Sequence, residues 1–227
     1  MAMLAAFVRL CVLFILLVMY VHTWSFFVLK LSKEQRGGFE WYHFATMWNF
    51  YLQTVYTVIA FFTGVIDLVA RKEVILTKRS LQKLTTNLIS PLTSFIVIAF
   101  WVLFLSNPDL LRHKKQDLPV WFNFNVHLYI IFLPITEFAF LPRSHSPLSK
   151  SAKYCLLFAI AYAGFIEYTI VNYNIAPYPM YLGLSFWERL GLNCTFMLTG
   201  IPVACISSYL LKNIIYKLQG NKHVKSH

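Results

Sequence analysis

Apolar residues form six long stretches along the chain, and short polar links separate them. The stretches lie near residues 11–29, 44–70, 88–105, 120–140, 154–171 and 194–214. Each comes close to the roughly 20 residues that a helix needs to cross a bilayer. Bulky residues, not a small-residue cleavage site, follow the first stretch, so we expect a retained helix and no signal peptide. The pattern predicts an all-α, polytopic membrane protein of about six transmembrane helices, with residues 1–227 in one multi-pass domain.

Basic residues are divided unevenly between the two sides that six crossings define. Seven of the 20 lie on the side opposite the termini, namely Lys30, Lys33, Arg36, Arg112, Lys114, Lys115 and Arg189. The other 13 lie on the side of the termini, from Arg9 to Lys225. Since cytoplasmic loops carry an excess of lysine and arginine, the sequence predicts that both termini are cytoplasmic.

The composition fits a protein whose main solvent is lipid. Apolar residues make up 58% of the chain and charged residues only 13%. A formal net charge of +11 would suggest nucleic acid as a partner of a soluble protein. Here the basic residues lie in the links, where they set orientation and contact anionic head groups. We therefore expect membrane lipids and no nucleic acid as partners, in the endoplasmic reticulum or the plasma membrane. The sequence leaves protein partners open.

Cysteine spacing gives no sign of a metal site or a disulfide framework. The four cysteines are Cys11, Cys155, Cys194 and Cys205, and all lie in or beside apolar stretches. None forms a C-x-x-C pair, and none has a histidine at metal-ligand spacing. The sequence therefore predicts small buried hydrophobic residues, with no metal and no cofactor.

A polar stripe runs along the second predicted helix. At 100° per residue its members fall within an arc of roughly 80°. They are Thr46, Asn49, Gln53, Thr57, Gly64 and Asp67. Such a stripe is unfavourable against lipid, so it should face the interior of the bundle or a wet cavity. Hydrogen bonding between helices, without any chemistry, is the more common reason for a lone stripe of this kind.

The fourth predicted helix carries a smaller polar group. Asn123 and His127 lie one turn apart, with Pro134 on the same side and Glu137 near it. An ionisable residue within a span indicates function, although a histidine near a helix end also occurs as an interfacial anchor.

Depth connects the second and fourth helices, which run in the same direction across the membrane. With Trp41 and Trp121 taken as the aromatic belt, Thr46 lies five residues inside and His127 six. Both side chains are then about 7–9 Å below the interface. The sequence does not show whether the two helices are neighbours.

A hydroxyl beside an imidazole is a known arrangement for acyl transfer. The imidazole takes the hydroxyl proton while the oxygen attacks a carbonyl carbon. Glu137 is ten residues beyond His127, about 15 Å along a helix, so Asn123 is the more accessible partner for orienting the histidine. Asn49, one turn past Thr46, is a candidate N–H donor to the developing oxyanion.

Several short motifs follow one another over most of the chain. They are Gly37-Gly38, Trp41, Ala45-Thr46-Met47-Trp48-Asn49, Gln53, Pro119-Val120-Trp121-Phe122-Asn123, His127, Leu133-Pro134, Glu137, Arg143-Ser144-His145 and Tyr178-Pro179. In residues and in order they resemble one known family, the androgen-induced and androgen-dependent tissue-factor-pathway-inhibitor-regulating proteins.

The resemblance implies a multi-pass hydrolase that cleaves fatty-acid esters of hydroxy fatty acids. The family's threonine nucleophile and histidine base fall on Thr46 and His127, the pair that depth had selected. The chain departs from the family at Phe124, where a second histidine can occur, and in the spacing before Trp41 and before Leu133. A channel or transporter and a non-catalytic membrane scaffold remain the alternatives, the first because of the stripe, Glu137 and Glu167.

Overall fold

The structure, a computed structural model, describes residues 2–31, 43–70, 75–107, 119–141, 146–176, 178, 181 and 183–219. Some residues used above lie outside these ranges. They are Gly37, Gly38, Trp41, Arg143, Ser144, His145, Pro179 and the basic residues of the 32–42, 71–74, 108–118 and 220–227 segments.

Eight α-helices account for most of the described residues, and none of these residues forms a strand. The helices are α1 (Ala2–Phe26), α2 (Ala45–Ala70), α3 (Ile75–Leu84), α4 (Ser90–Ser106), α5 (Val120–His127), α6 (Phe132–Phe140), α7 (Leu148–Tyr173) and α8 (Phe186–Leu218). A π-helical turn, Phe27–Leu31, extends α1, and another, Thr85–Ile89, joins α3 to α4. A 3-10 turn, Tyr129–Ile131, lies between α5 and α6.

The predicted all-α, polytopic membrane architecture is confirmed. Within the described ranges, five helical segments are long and apolar enough to cross a membrane. They are Met3–Leu29, Ala45–Ala70, Thr77–Ser106, Leu148–Tyr173 and Phe186–Leu218. Each of these helical segments overlaps one of the six predicted stretches, and most of the segments are longer than the stretch predicted.

The fourth predicted stretch, 120–140, is helical but interrupted. Five unbroken helices and one broken segment therefore replace six unbroken ones. Leu128 leaves the helical conformation, with φ −130° and ψ −55°. Pro134 explains the break nearby, because it has no N–H for the carbonyl of Ile130 and its ring crowds that carbonyl. The chain therefore turns through Tyr129–Ile131 before α6 begins.

Side-chain contacts show how the passes are directed. Arg9 near the start of α1 bonds to Glu137 near the end of α6, and Gln219 just after α8 donates to the carbonyl of Ala139. The start of α1 and the end of α8 therefore lie at one end of the bundle, here called the terminus end, as an even number of passes requires. The starts of α2 and α5 lie at the opposite end. That the terminus end faces the cytoplasm stays a prediction.

The polar stripe of α2 faces the interior, as predicted. Asn49, Gln53 and Thr57 have no exposed surface, and Thr46 is 8% exposed. The opposite face is apolar and points outward through Tyr51, Val55, Ile59, Phe62, Ile66 and Val69. This inverted amphipathic pattern is expected for a helix whose surroundings are lipid outside and protein inside.

The cysteine prediction is half right. Cys155 and Cys205 are buried, whereas Cys11 and Cys194 are exposed on the outer surface of the bundle. A small apolar side chain is accommodated on a lipid-facing surface as well as in a core, so apolar surroundings in the sequence did not distinguish the two. All four are free thiols.

Candidate functional site

A cavity of about 290 Å³ lies between α2, α4, α5, α7 and α8. Its polar lining consists of Thr46, Asn123, His127, Tyr162, Tyr178, Tyr181 and Asn193. The rest of the lining is almost entirely aliphatic and aromatic. On α4 that lining extends from Leu92 to Phe104, a span of about 18 Å along the helix. The cavity is therefore a long apolar chamber with a few polar groups.

Thr46 is the second residue of α2, and its side chain lies in this cavity. No hydrogen bond engages its hydroxyl within the part of the chain that the structure describes. The amides of Met47 and Trp48 both donate to the carbonyl of Phe44, at 3.0 and 3.3 Å. The N–H groups of Ala45 and Thr46 precede these bonds and have no acceptor within the helix. The hydroxyl thus sits at the positive end of the α2 dipole.

Tyrosines of α7 and the following loop fix the start of α2. The Tyr162 hydroxyl donates to the carbonyl of His43, and the Tyr162 and Tyr178 phenols lie close to the backbone of Ala45. Packing reinforces this contact, because Trp48 meets the Tyr162 ring edge-on at 5.5 Å. The start of α2, where Thr46 lies, is therefore held against α7.

His127 ends α5, and three contacts fix its ring. Its Nδ1 lies 3.2 Å from the backbone carbonyl oxygen of Asn123. Phe100 stacks on it at 3.5 Å between ring centroids and 9° between planes. The indole of Trp101 donates to the His127 carbonyl at 3.2 Å, which is free to accept because the helix stops there.

The contact with Asn123 assigns the tautomer of the neutral ring. A carbonyl oxygen only accepts, so Nδ1 must carry the hydrogen and Nε2 the lone pair. Among the described residues no donor or acceptor engages Nε2, and the ring lines the cavity. His127 therefore presents a proton-accepting nitrogen to the chamber that holds the Thr46 hydroxyl.

The structure brings three of the four predicted site residues to one cavity. The second and fourth passes are in contact, and Thr46, Asn123 and His127 all line the chamber. Asn123 acts on His127 through its main-chain carbonyl and not through its amide.

Asn49 is the predicted site residue that does not line the cavity. It is fully buried one turn deeper, and its Nδ2 donates to the Thr93 hydroxyl at 3.5 Å. Gln53 donates to the same hydroxyl at 2.6 Å and accepts from Tyr20 at 2.8 Å. Below Thr46, the stripe thus forms hydrogen bonds between helices.

The two intramembrane glutamates lie away from the cavity and are paired. Glu137 bonds to Arg9 at 3.0 and 3.1 Å and accepts from the Tyr56 hydroxyl at 2.6 Å. Glu167 accepts from Arg189 at 2.6 and 2.9 Å. Neither carboxylate faces His127.

Sequence reasoning missed the tyrosines and the asparagine that complete the polar lining. Tyr162, Tyr181 and Asn193 stand in no recognisable motif, and Tyr181 donates to the Asn193 side chain at 2.6 Å. Tyr178 was noted only as half of a Tyr-Pro pair. Their common position on the chamber depends on how α7 and α8 pack, which no local pattern reveals.

The chain matches known proteins across the whole of this site. The model of the FAR-17a/AIG1-like protein family matches residues 8–217. The androgen-dependent TFPI-regulating protein of Homo sapiens is 30% identical over 215 residues, which is 88% of this chain and 89% of that protein. The proteins of the same name from Mesocricetus auratus and Mus musculus are 28% and 29% identical, each over 78% of this chain and 76% of their own length. No solved structure matches the chain.

Proposed function

This chain belongs to the FAR-17a/AIG1-like family, and from that premise we propose that it is an intramembrane esterase that hydrolyses fatty-acid esters of hydroxy fatty acids. One observation carries the proposal. The Thr46 hydroxyl and Nε2 of His127, neither of which is hydrogen-bonded within the described residues, belong to side chains that line the same mainly apolar chamber. The substrate class follows from the motifs that surround these two residues.

The reaction proceeds in two acyl transfers. The Thr46 oxygen attacks the ester carbonyl while its proton passes to Nε2 of His127. His127 then gives this proton to the departing alkoxide, which leaves as the hydroxy fatty acid, and an acyl-threonine remains. Water attacks the acyl-threonine with the same assistance, which releases the fatty acid and restores the Thr46 hydroxyl.

Orientation of the base comes from the backbone, not from an acid. The Asn123 carbonyl holds Nδ1–H, and the stacked Phe100 fixes the plane of the ring. A carbonyl in this place performs the orienting part of the role that a carboxylate has in a catalytic triad. The last carbonyls of α5 also stabilise the imidazolium that forms during the reaction.

Stabilisation of the tetrahedral oxyanion falls to the start of α2. The N–H of Thr46 has no acceptor within the helix, and the helix dipole is positive at this end. Such fixed donors are most effective in a site from which water is largely excluded. Asn49 has no part in this scheme, because its amide bonds to Thr93 outside the chamber.

The chamber fits a long acyl chain. Its lining along α4 continues for about 18 Å from Phe104 to Leu92, and Phe95, Ile96 and Ala99 lie between them. Burial of a methylene in such surroundings contributes about 0.8 kcal/mol. Long-chain esters should therefore be turned over more efficiently than short, water-soluble ones.

A covalent probe tests the proposal. Membranes that contain the full-length protein are incubated with a long-chain alkyl fluorophosphonate, and the labelled residue is mapped by mass spectrometry. We expect the label on Thr46, protection by excess long-chain ester, and no label after Thr46→Val.

The matched control is Thr63→Val. Thr63 is a buried threonine of the same helix whose hydroxyl donates to the Ile59 carbonyl, and it does not line the chamber. This variant should label as the natural chain does. A label on another residue, or one that survives Thr46→Val, would contradict the proposal.

A further inference from the structure

A second polar pocket lies at the terminus end, and a buried lysine lines it. Among the described residues three charged side chains are buried, namely Arg9, Glu137 and Lys212. Arg9 and Glu137 form an ion pair. Lys212, which is 7% exposed, has no carboxylate within pairing distance in the described part of the chain. Its amino group lies 5.4 Å from the centroid of the Tyr209 ring, a weak cation–π contact.

Lys212 is largely covered by protein and has no counter-ion among the described residues. Such a cation is unfavourable, so the groups around it are of interest. Hydroxyl groups surround it, those of Thr86, Ser146, Ser151 and Ser208. Ser208 pairs with Ser90 at 2.7 Å, and Ser151 contacts the Thr86 carbonyl at 3.4 Å.

Thr86 is the second unpaired group of this pocket. Thr86 is only 5% exposed, yet its hydroxyl has no hydrogen-bond partner among the residues that the structure describes. An unpaired buried hydroxyl destabilises a fold. The amino group of a largely buried lysine and a buried hydroxyl thus line one pocket, and neither has an acceptor within the described ranges. The ligand that would satisfy both is an anionic oxygen.

The size and opening of the pocket restrict which ligands can enter it. Its volume is about 10 Å³, enough for roughly one oxygen atom. Tyr209 and Leu148 line it and are 45% and 44% exposed on the outer surface. Lys212 lies six residues before the end of α8, about 9 Å along the helix axis. This depth places the opening near the head groups of one leaflet.

We propose that Lys212 and Thr86 bind a phosphate oxygen, and that the phosphate belongs to the head group of an anionic lipid at the terminus end. One oxygen enters the pocket, and the rest of the head group stays outside against Tyr209. The site is distinct from the catalytic chamber. Cys155 lines the chamber and Cys205 lines the pocket, and these two packed side chains separate them.

Thermal unfolding of the full-length protein in a non-ionic detergent tests this site. The unfolding midpoint is followed as phosphatidylglycerol, phosphatidylcholine or inorganic phosphate is added. We expect a saturable rise with phosphatidylglycerol and none with phosphatidylcholine. A saturable rise with inorganic phosphate alone would show that free phosphate occupies the site, and would overturn the assignment to a lipid.

Variants identify the residues. Lys212→Met keeps the length of the side chain and removes its charge, and it should weaken the response to phosphatidylglycerol about tenfold, the effect of one charge-assisted hydrogen bond. Thr86→Val should weaken it by a smaller factor and leave the fold intact, because it removes a hydroxyl that makes no hydrogen bond to any described residue. Lys217→Met is the control, since Lys217 is exposed on the same helix and does not line the pocket. An undiminished response in Lys212→Met would overturn the proposal.

Discussion

Two clusters of buried polar side chains, near opposite ends of this bundle, differ in whether their members are bonded to one another. At the terminus end, Arg9 and Glu137 form a two-pronged ion pair, Tyr56 donates to Glu137, and Thr85 donates to Tyr56. At the opposite end, the Thr46 hydroxyl and Nε2 of His127 have no partner among the described residues, and both face a cavity.

The difference separates structural polar groups from reactive ones. A buried network in which each member is bonded joins helices and fixes their register. A buried polar atom without a partner destabilises the fold, so its presence at a cavity requires another explanation. We interpret the Arg9–Glu137 network as a structural ion pair that holds the helices together. We interpret Thr46 and His127 as the reactive pair.

The strongest test removes the reactive pair. Thr46→Val keeps the shape of the side chain without its oxygen, and His127→Ala removes the base. Each should lower ester hydrolysis by about 10³-fold or more while the protein stays folded. Hydrolysis of a long-chain ester by purified protein, with thermal unfolding measured in parallel, checks both parts.

Two further variants show whether the pair acts as one unit. Thr46→Ser keeps the hydroxyl and should retain measurable activity. The Thr46→Val, His127→Ala double variant should be scarcely worse than either single one, because residues that share a step are strongly non-additive. An active Thr46→Val protein would make the two ends of the bundle alike, with Thr46 only a packing residue.

The second test breaks the Arg9–Glu137 ion pair. Glu137→Gln leaves the buried Arg9 without its counter-charge, which should destabilise the fold by about 3–5 kcal/mol. Activity per folded molecule should stay within about twofold, because Glu137 does not line the chamber. Unfolding in denaturant and activity normalised to folded protein check this. A specific loss of activity without a loss of stability would contradict the division between the two ends.

The matched control for Glu137→Gln is Glu167→Gln. Glu167 forms an ion pair of the same kind with Arg189, but its side chain is 22% exposed. A partly exposed pair contributes less, so this change should destabilise the fold by about 1 kcal/mol or less. The comparison isolates the effect of complete burial.

The sequence predicted the fold class and selected the two central residues of the candidate site from the same kind of information. Length and hydropathy report how often a chain crosses lipid, and residue counting from each interface reports depth. Thr46 and His127 were paired by depth alone, and the structure places both on one chamber. The number of crossings and the depth of a residue both concern position along the membrane normal, which residue counting can provide.

The sequence did not predict which helices lie next to one another in the plane of the membrane. Arg9 was assigned to the correct side of the bundle, but its pairing with Glu137, 128 residues away, depends on α1 packing against α6. Asn49 and Thr46 share a stripe, yet one turn of helix separates a bond to α4 from a place in the chamber. The break at Leu128 likewise depends on how the chain accommodates Pro134, which the hydropathy of the segment does not register.

A third test changes the shape of the chamber without touching the reactive pair. A Cβ at Gly200 would lie 2.7 Å from Cε2 of Phe95, so Gly200→Ala must displace that ring. Both residues line the chamber. We expect kcat/KM for long-chain esters to fall about tenfold relative to medium-chain esters, the effect of losing space for one or two methylenes.

Gly191→Ala is the control for this change. Gly191 lies on the same helix, and a Cβ there would meet nothing within 4 Å. Chain-length preference should stay as in the natural chain. An equal loss for esters of every length in Gly200→Ala would mean that Phe95 supports the fold and does not bound the acyl chain.

The smallest expected effect concerns Asn123, whose side chain lines the chamber beside the base it orients. Only its main-chain carbonyl contacts Nδ1 of His127, and Asn123→Ala keeps that carbonyl. We therefore expect kcat to change by no more than about threefold, with the pH profile of kcat/KM unaltered. Phe100→Leu removes the ring that stacks on His127 and should lower kcat more, because the plane of the imidazole is then less fixed. If Asn123→Ala instead abolished activity, the amide of Asn123 would have a direct part in the reaction, and main-chain orientation of the histidine would be the wrong account of this end of the bundle.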